Sequence, residues 1–247
     1  MFPIRDVNPT RMRPVMTWAL IAVNVFVFFG WQPQDSDAAA AEFAYAHAAI
    51  PCEITTGEPL DVAEIGGPCI EAPLGQVVFP DKNVWLSVVV SMFLHGGIAH
   101  LLFNMWSLWI FGNNVEEAFG RGGYLLFYLV AGFGATAGFV ALNPDTTAPL
   151  VGASGAIAGV MGAYLVLFPR HQVMTLVIIR IVAIPAVLFL GLWLASQFFL
   201  IGAQSGIAWE AHVAGFALGV LVTLPLRETL LRRTLAGSPY AAAGYRI

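Results

Sequence analysis

Residues 151–159 read VGASGAIAG and open an apolar segment that continues to Phe168 without a charged residue. Small residues such as Gly, Ala and Ser let transmembrane helices approach closely, so this stretch alone favours a helix-packing surface. A second segment, residues 211–219, reads AHVAGFALG and carries His212 beside another row of small residues. Both segments are therefore rich in small residues that favour close helix packing, and one carries a serine and the other a histidine.

The two rows of small residues predict that these segments pack on one another. Each row repeats every four residues, the spacing that puts side chains on one face of a helix. The rows consist of Gly155, Gly159 and Ala163 in the first segment and of Ala211, Gly215 and Gly219 in the second. If the helices pack row against row, Ser154 and His212 lie side by side. A serine beside a histidine base is a candidate nucleophile.

Composition indicates a membrane protein. Hydrophobic residues make up 58% of the 247 residues and charged residues 11%, whereas a soluble domain has roughly 25% charged residues. The mean hydropathy is +0.77. We therefore predict an all-α polytopic protein that is surrounded by the lipid bilayer. The net charge of −4 argues against nucleic acid as a partner.

Six apolar segments have the length of a transmembrane helix. They are residues 15–31, 98–116, 123–141, 152–168, 178–201 and 209–226. Residues 1–14 are basic, residues 32–84 form a long acidic loop, and residues 228–247 form a polar tail. The first segment also resembles a secretory signal peptide in layout, but its apolar run exceeds the ~7 to 15 residues of such a peptide.

The basic residues predict the orientation. Of eleven Lys and Arg residues, the ten arginines fall at or near one side of a six-span arrangement, and Lys82 falls in the opposite loop. Because positive charge is enriched inside, both termini are expected in the cytoplasm and residues 32–84 outside. Cys52 and Cys69 then lie where disulfides persist, and we hypothesise that they pair. Their spacing matches no metal or redox motif.

A second polar cluster lies at residues 93–105, which read FLHGGIAHLLFNM. His100 and Asn104 are four residues apart and share a helix face, so both can direct donors to one spot. Polar groups inside a membrane are costly unless they face a cavity or a partner. His95, in contrast, is interpreted as a structural histidine.

These motifs resemble those of the rhomboid family of intramembrane serine proteases. The matching patterns are His95-Gly-Gly-x-x-His100-Leu-x-x-x-Asn104, Gly152-Ala153-Ser154-Gly155 and Ala211-His212-x-x-Gly215. The resemblance covers about residues 12–227. It implies a six-transmembrane-helix bundle in the cell (inner) membrane, with a protease domain over residues 15–227 and a short fourth helix that begins at the floor of a water-filled cavity.

The resemblance also implies a serine endopeptidase that cleaves transmembrane segments of other membrane proteins without a metal or cofactor. Ser154 would be the nucleophile and His212 the base. His100, Asn104 and Ser154 would bind the oxyanion. Glu116 matches an acid that ties the inner end of the second span to neighbouring loops.

Two departures from the family pattern stand out. Many members have an aromatic residue four positions after the serine, stacked on the histidine, where this chain has Ala158. Met161 and Phe216 are candidates for holding the imidazole instead. A Trp-Arg pair that is frequent in the outer loop is also missing, which leaves the shape of that loop open.

The alternative interpretation is a non-proteolytic rhomboid-like protein that binds transmembrane helices. Such proteins lack the serine or the histidine, and this chain has both. A metalloprotease would need a His-Glu-x-x-His motif, which the chain does not contain. Glu210 is not expected to complete a triad, because residues two apart on a helix point to different faces.

Overall fold

The structure, a computed structural model, describes residues 1–70, 75–199 and 206–235. This part of the chain is mostly helical, as predicted. In chain order its elements are β1 (Phe2–Asp6), α1 (Val15–Gly30), α2 (Asp37–His47), α3 (Pro51–Thr56), α4 (Val84–Ser91), α5 (Ile98–Phe119), α6 (Arg121–Leu142), α7 (Ser154–Leu167), β2 (Gln172–Val177), β3 (Arg180–Pro185), α8 (Ala186–Phe198) and α9 (Trp209–Leu235).

Two helices in the described ranges, α6 and α9, are long and apolar enough to cross a membrane by length and composition. Three further apolar helices, α1, α7 and α8, are shorter. Helix α5 has 22 residues, but its second half carries the polar run Asn113-Asn114-Val115-Glu116-Glu117. The six-span count therefore stays a prediction. Helix α9 continues past residue 227 to Leu235, and the rest of the predicted tail lies outside the described residues.

The prediction of an all-α protein is wrong for one small region. The predicted span 178–201 is helical from Ala186 onward, whereas residues 178–185 belong to a β-hairpin. Residues 177–182 read VIIRIV, and such β-branched side chains favour extended backbone. Pro185 disfavours a helix before it but suits a helix start, so α8 begins directly after it. Residues 200 and 201 lie outside the described part.

The hairpin joins the N-terminal segment in a three-stranded antiparallel sheet with the order β1-β2-β3. Strand β1 lies along α5, where Phe2 stacks on Trp106 with ring centroids 5.6 Å apart. At the other end of β1, the Asp6 carboxylate accepts hydrogen bonds from Asn114 (2.8 Å) and Tyr164 (2.9 Å). The beginning of the predicted segment 1–14 is thus packed against the helices.

Helix α7 is the central element of the bundle. Almost all of its side chains are buried, and it packs against α5, α6, α8 and α9. Its contact with α9 is the closest because glycines face each other across it. A Cβ atom at Gly215 or Gly219 would collide with the carbonyl oxygen of Gly155 or Gly159, respectively. The two rows of small residues therefore pack together as the sequence predicts.

A second, smaller core lies in the segment before α5. Ile50, Cys52 and Leu60 form its centre, and Cys52 and Cys69 are joined by a disulfide, as hypothesised. Beside it, the Lys82 ammonium lies 2.6 Å from the Glu53 carboxylate. Burial raises the pKa of Glu53 and lowers the pKa of Lys82, while the ion pair opposes both shifts.

The segment between α1 and α5 supports the loop that leads into α7. The Leu150 N–H donates to the carbonyl of Ala49 (2.8 Å), and the Cys52 N–H donates to the carbonyl of Thr146 (3.0 Å). Further along the loop, the Gly152 N–H donates to the carbonyl of Ser91 at the end of α4 (2.9 Å). The position of Ser154, two residues later, is therefore fixed from the segment between α1 and α5 as well as from the bundle.

Candidate active site

Ser154 is the first residue of α7. The first helical hydrogen bond at this end runs from the Ile157 N–H to the Ala153 carbonyl (2.9 Å). The backbone N–H groups of residues 154–156 therefore have no partner within the helix, and they carry the positive end of its dipole. Gly152 just before has φ +129°, a conformation that favours glycine.

Ser154 and His212 are in hydrogen-bond contact. The Ser154 Oγ lies 2.8 Å from the His212 Nε2. The packing of α7 on α9 produces this contact, since His212 is one turn before Gly215 on the glycine side of α9. A serine hydroxyl at this distance can pass its proton to a neutral imidazole, which is the arrangement that nucleophilic catalysis needs.

Helix α8 holds the other side of the imidazole. The His212 Nδ1 lies 2.7 Å from the Oε1 of Gln197, and the Trp193 ring lies 6.0 Å from the imidazole, centroid to centroid, at 35°. Phe216, one of the residues predicted to hold the imidazole, packs on Trp193 with ring centroids 5.9 Å apart. Met161, the other, lines the adjacent cavity.

Sequence reasoning missed both Gln197 and Trp193. A signal was present, because Gln197 is a polar side chain inside an otherwise apolar segment, where it needs a partner. Trp193 precedes it by four residues, so the two share a face of α8. The identity of the partner could not be read from the sequence, since it depends on how α8 packs against α9.

His100 and Asn104 lie on the opposite wall, on α5. Asn104 is buried, with 7% of its surface exposed, and its Nδ2 has no hydrogen-bond partner in the described part of the chain. His100 Nδ1 lies 3.4 Å from the Gly96 N–H, and its ring is 5.2 Å from that of His95. A buried amide donor without a protein partner is costly unless it meets a ligand.

Gly152 leaves a gap between His100 and Ser154. A Cβ atom at Gly152 would lie 2.9 Å from the His100 Nε2 and 3.4 Å from the Ser154 Oγ. Any side chain at position 152 would fill the space between Ser154 on α7 and His100 on α5. This gap is therefore a suitable place for the oxygen of a carbonyl group that Ser154 attacks.

These groups line one cavity of about 810 Å³. Ser154 and Gly155 contribute to one side, His100 and Asn104 to a second, and His212 with Trp193 to a third. Glu210 also lines it, but the His212 Nδ1 is already paired with Gln197. The four predicted site residues thus share one space that can accept a substrate.

His95 and Glu116 are not among the residues that line this cavity, and each connects two segments of the chain. The backbone N–H of His95 donates to the Gln32 Oε1 (2.9 Å), and its carbonyl accepts from the Gln32 Nε2 (2.9 Å). The Glu116 carboxylate accepts from the N–H groups of Met16 (2.9 Å) and Thr17 (2.8 Å). Glu116 therefore ties the C-terminal end of α5 to the start of α1.

Within the described ranges, the residues that could jointly ligate an ion are Cys52, Glu64 and Cys69, in the segment between α1 and α5. Because the two cysteines are joined in a disulfide, neither offers a thiolate.

Comparison with known proteins identifies the family. The model of the rhomboid domain matches residues 82–229, which is more than half of the chain and includes all four predicted site residues. The chain therefore belongs to the rhomboid family, whose members are membrane proteins.

Several curated relatives are named rhomboid protease or rhomboid-like protein. The chain is 46% identical over 85 residues to rhomboid protease GluP of Bacillus subtilis, a match that covers 34% of this chain and 16% of that protein. It is 35% identical over 133 residues to RHOMBOID-like protein 4 of Arabidopsis thaliana, a match that covers 52% of this chain and 31% of that protein. It is 29% identical over 168 residues to rhomboid protease AarA of Providencia stuartii, a match that covers 57% of this chain and 55% of that protein. The chain thus spans at most about half the length of these relatives.

Proposed function

We propose that this protein is an intramembrane serine endopeptidase that cleaves transmembrane segments of other membrane proteins. The observation that carries the proposal is the 2.8 Å contact between the Ser154 Oγ and the His212 Nε2, two residues that line one cavity. Family membership supports it, since relatives such as AarA are named rhomboid proteases. Both residues that the chemistry requires are present and in contact.

In the proposed reaction, the Ser154 Oγ attacks the carbonyl carbon of a peptide bond while the His212 Nε2 takes the hydroxyl proton. The carbonyl oxygen becomes an oxyanion in the gap beside Gly152. The imidazole of His100 borders that gap, and Asn104, whose Nδ2 has no partner in the described part of the chain, lines the same cavity. These two side chains and the backbone N–H of Ser154 are the proposed donors to the oxyanion.

The tetrahedral intermediate then collapses. Its C–N bond breaks, and the His212 Nε2 returns the proton to the leaving amine, which gives an acyl-enzyme on Ser154. A water molecule then attacks the acyl carbon while the His212 Nε2 takes its proton. The ester C–O bond to Ser154 breaks, the product leaves as a carboxylic acid, and His212 returns the proton to the Ser154 Oγ. Because a helical substrate hides its carbonyls in the i to i+4 ladder, segments with small or helix-breaking residues should be cleaved best.

The proposal includes a topology. We infer six spans over the apolar segments, with both termini in the cytoplasm and residues 32–84 outside, because ten of the eleven basic residues then lie at or near the inner side. Single cysteines at residues 58 and 247, in a Cys52→Ala/Cys69→Ala background, would be labelled from opposite sides of sealed vesicles. Labelling of both from the same side would contradict this topology.

The decisive experiment measures cleavage of a transmembrane substrate by purified protein, together with labelling by a fluorophosphonate. Ser154→Ala and His212→Ala should each abolish cleavage, and the double variant should be no worse than either, because the two residues act as one unit. Ser107→Ala is the matched control, since this serine lines the same cavity and should leave the label in place.

The competing proposal is a non-proteolytic protein that binds transmembrane helices in the same cavity. Its signature would be a purified wild type that binds the substrate without cutting it, with equal binding by Ser154→Ala. This result would replace the protease proposal, and substrate cleavage by Ser154→Ala at the wild-type rate would contradict the role of Ser154 as the nucleophile.

A further inference from the structure

We infer that Gln197 is a positioning residue that sets the tautomer and the orientation of His212. This inference rests on the proposed function, in which His212 acts as the base. Gln197 is on α8, a different helix from either Ser154 or His212, and 6% of its surface is exposed. Its Oε1 lies 2.7 Å from the His212 Nδ1.

The orientation of the Gln197 amide follows from its other contacts. Its Nε2 donates to the backbone carbonyl of Trp193 (3.2 Å) and approaches the Ser196 Oγ (3.3 Å). A carbonyl oxygen can only accept, so the nitrogen of the amide must face Trp193. The oxygen of the amide must therefore face His212.

This orientation fixes the proton on the imidazole. The amide oxygen is an acceptor without a proton, so the His212 Nδ1 must carry the hydrogen. A neutral imidazole has one N–H group, which leaves the Nε2 with a free lone pair directed at the Ser154 hydroxyl. Gln197 thereby selects the one neutral tautomer in which His212 can accept the serine proton.

The same contact limits rotation of the ring. A flip of the imidazole would break the bond to Gln197, and the Trp193 ring, with its centroid 6.0 Å away, occupies one side of the histidine.

In an apolar bundle a neutral amide also has an advantage over a carboxylate as the partner of the His212 Nδ1. It avoids a buried negative charge while the imidazole is neutral, yet its bond to Nδ1 strengthens once His212 becomes an imidazolium.

The test compares three variants of the full chain in a transmembrane-peptide cleavage assay. Gln197→Met removes the acceptor at nearly constant size and should lower kcat roughly 10- to 100-fold with little change in KM, because misplacement of a catalytic base acts on the chemical step. Gln197→Glu keeps an acceptor at the same distance and should recover most of kcat. Leu192→Met, on the exposed side of α8, is the matched control and should behave like the wild type.

Nitrogen NMR of ¹⁵N-histidine-labelled protein gives a readout that does not depend on proteolysis. The His212 signals, assigned with His212→Ala, should show a protonated Nδ1 and an unprotonated Nε2 in the wild type and a mixture of tautomers in Gln197→Met. An unchanged tautomer together with a wild-type kcat in Gln197→Met would overturn the inference. If the wild type does not cleave at all, the proposed function fails, while the NMR comparison still decides the role of Gln197.

Discussion

Gly215 on α9 packs against the backbone carbonyl of Gly155 on α7 so closely that even a methyl group at position 215 would collide with the oxygen. Gly155 follows Ser154 directly, and Gly215 is one turn after His212. The separation of the two catalytic candidates is therefore set by backbone contact, which tolerates no added side chain.

A Gly215→Ala variant should consequently lose both stability and activity. Relief of the collision must move α7 and α9 apart, which typically costs about 1 to 3 kcal/mol and lengthens the distance between Ser154 and His212. Thermal unfolding in detergent and the cleavage rate measure the two effects. Gly191→Ala is the control, because a Cβ at Gly191 meets nothing within 4 Å. Equal behaviour of the two variants would contradict the role of the contact.

Asn104→Ala should leave a measurable remnant of activity, unlike Ser154→Ala. The loss of one oxyanion donor typically lowers kcat by about 10²- to 10³-fold while the other donors remain. The side chain already lacks a protein partner for its Nδ2 in the described part of the chain, so the fold should not suffer from its removal. A lower kcat of Asn104→Ala in steady-state kinetics, at wild-type stability, would support this role. An unchanged kcat would exclude it.

Stability should depend on pH through Asp6. Burial raises the pKa of this carboxyl from 3.8 to about 6, against hydrogen bonds from Tyr164 and Asn114 that lower it. The folded state therefore binds a proton more tightly than the unfolded state, so stability should rise as the pH falls from above 6 towards 4. The gain amounts to roughly 1 to 3 kcal/mol.

The measurement is the unfolding midpoint in detergent at pH 7.5 and pH 5. Asp6→Asn, which cannot ionise, should remove the increase in the unfolding midpoint between pH 7.5 and pH 5. At pH 7.5 it should be more stable than the wild type. Asp35→Asn, at an exposed position, should keep the wild-type difference between the two pH values. A midpoint of Asp6→Asn that shifts with pH as much as that of the wild type would be inconsistent with the expectation.

The disulfide between Cys52 and Cys69 should stabilise the segment between α1 and α5. The two cysteines are separated by 17 positions, and closing a loop of that size contributes roughly 3 kcal/mol through the unfolded state. Cys52→Ala/Cys69→Ala should lower the unfolding midpoint, and reduction of the wild type should reproduce the loss. Alkylation of the unreduced, denatured protein should leave its mass unchanged. Two adducts would show that the cysteines are unpaired.

The sequence predicts the contact at the centre of this fold because it depends on local spacing. Small residues every four positions put glycines on one face of each helix, and the neighbouring Ser154 and His212 follow. The N-terminal sheet could not be predicted in this way. Its first pairing joins Phe2–Asp6 to residues 172–177 across seven helices, and the β-branched run before α8 also has the apolar character of a span.

Pairing of the first strand with β2 also has a consequence for biosynthesis. A ribosome delivers Phe2–Asp6 first and β2 only after α7 has been made, so the beginning of the chain must wait for its partner while the helices between them are inserted. A fusion placed before Met1 would extend from a strand whose first residue, Phe2, stacks on Trp106. An affinity tag placed ahead of Met1 would therefore lie directly beside this edge strand of the sheet.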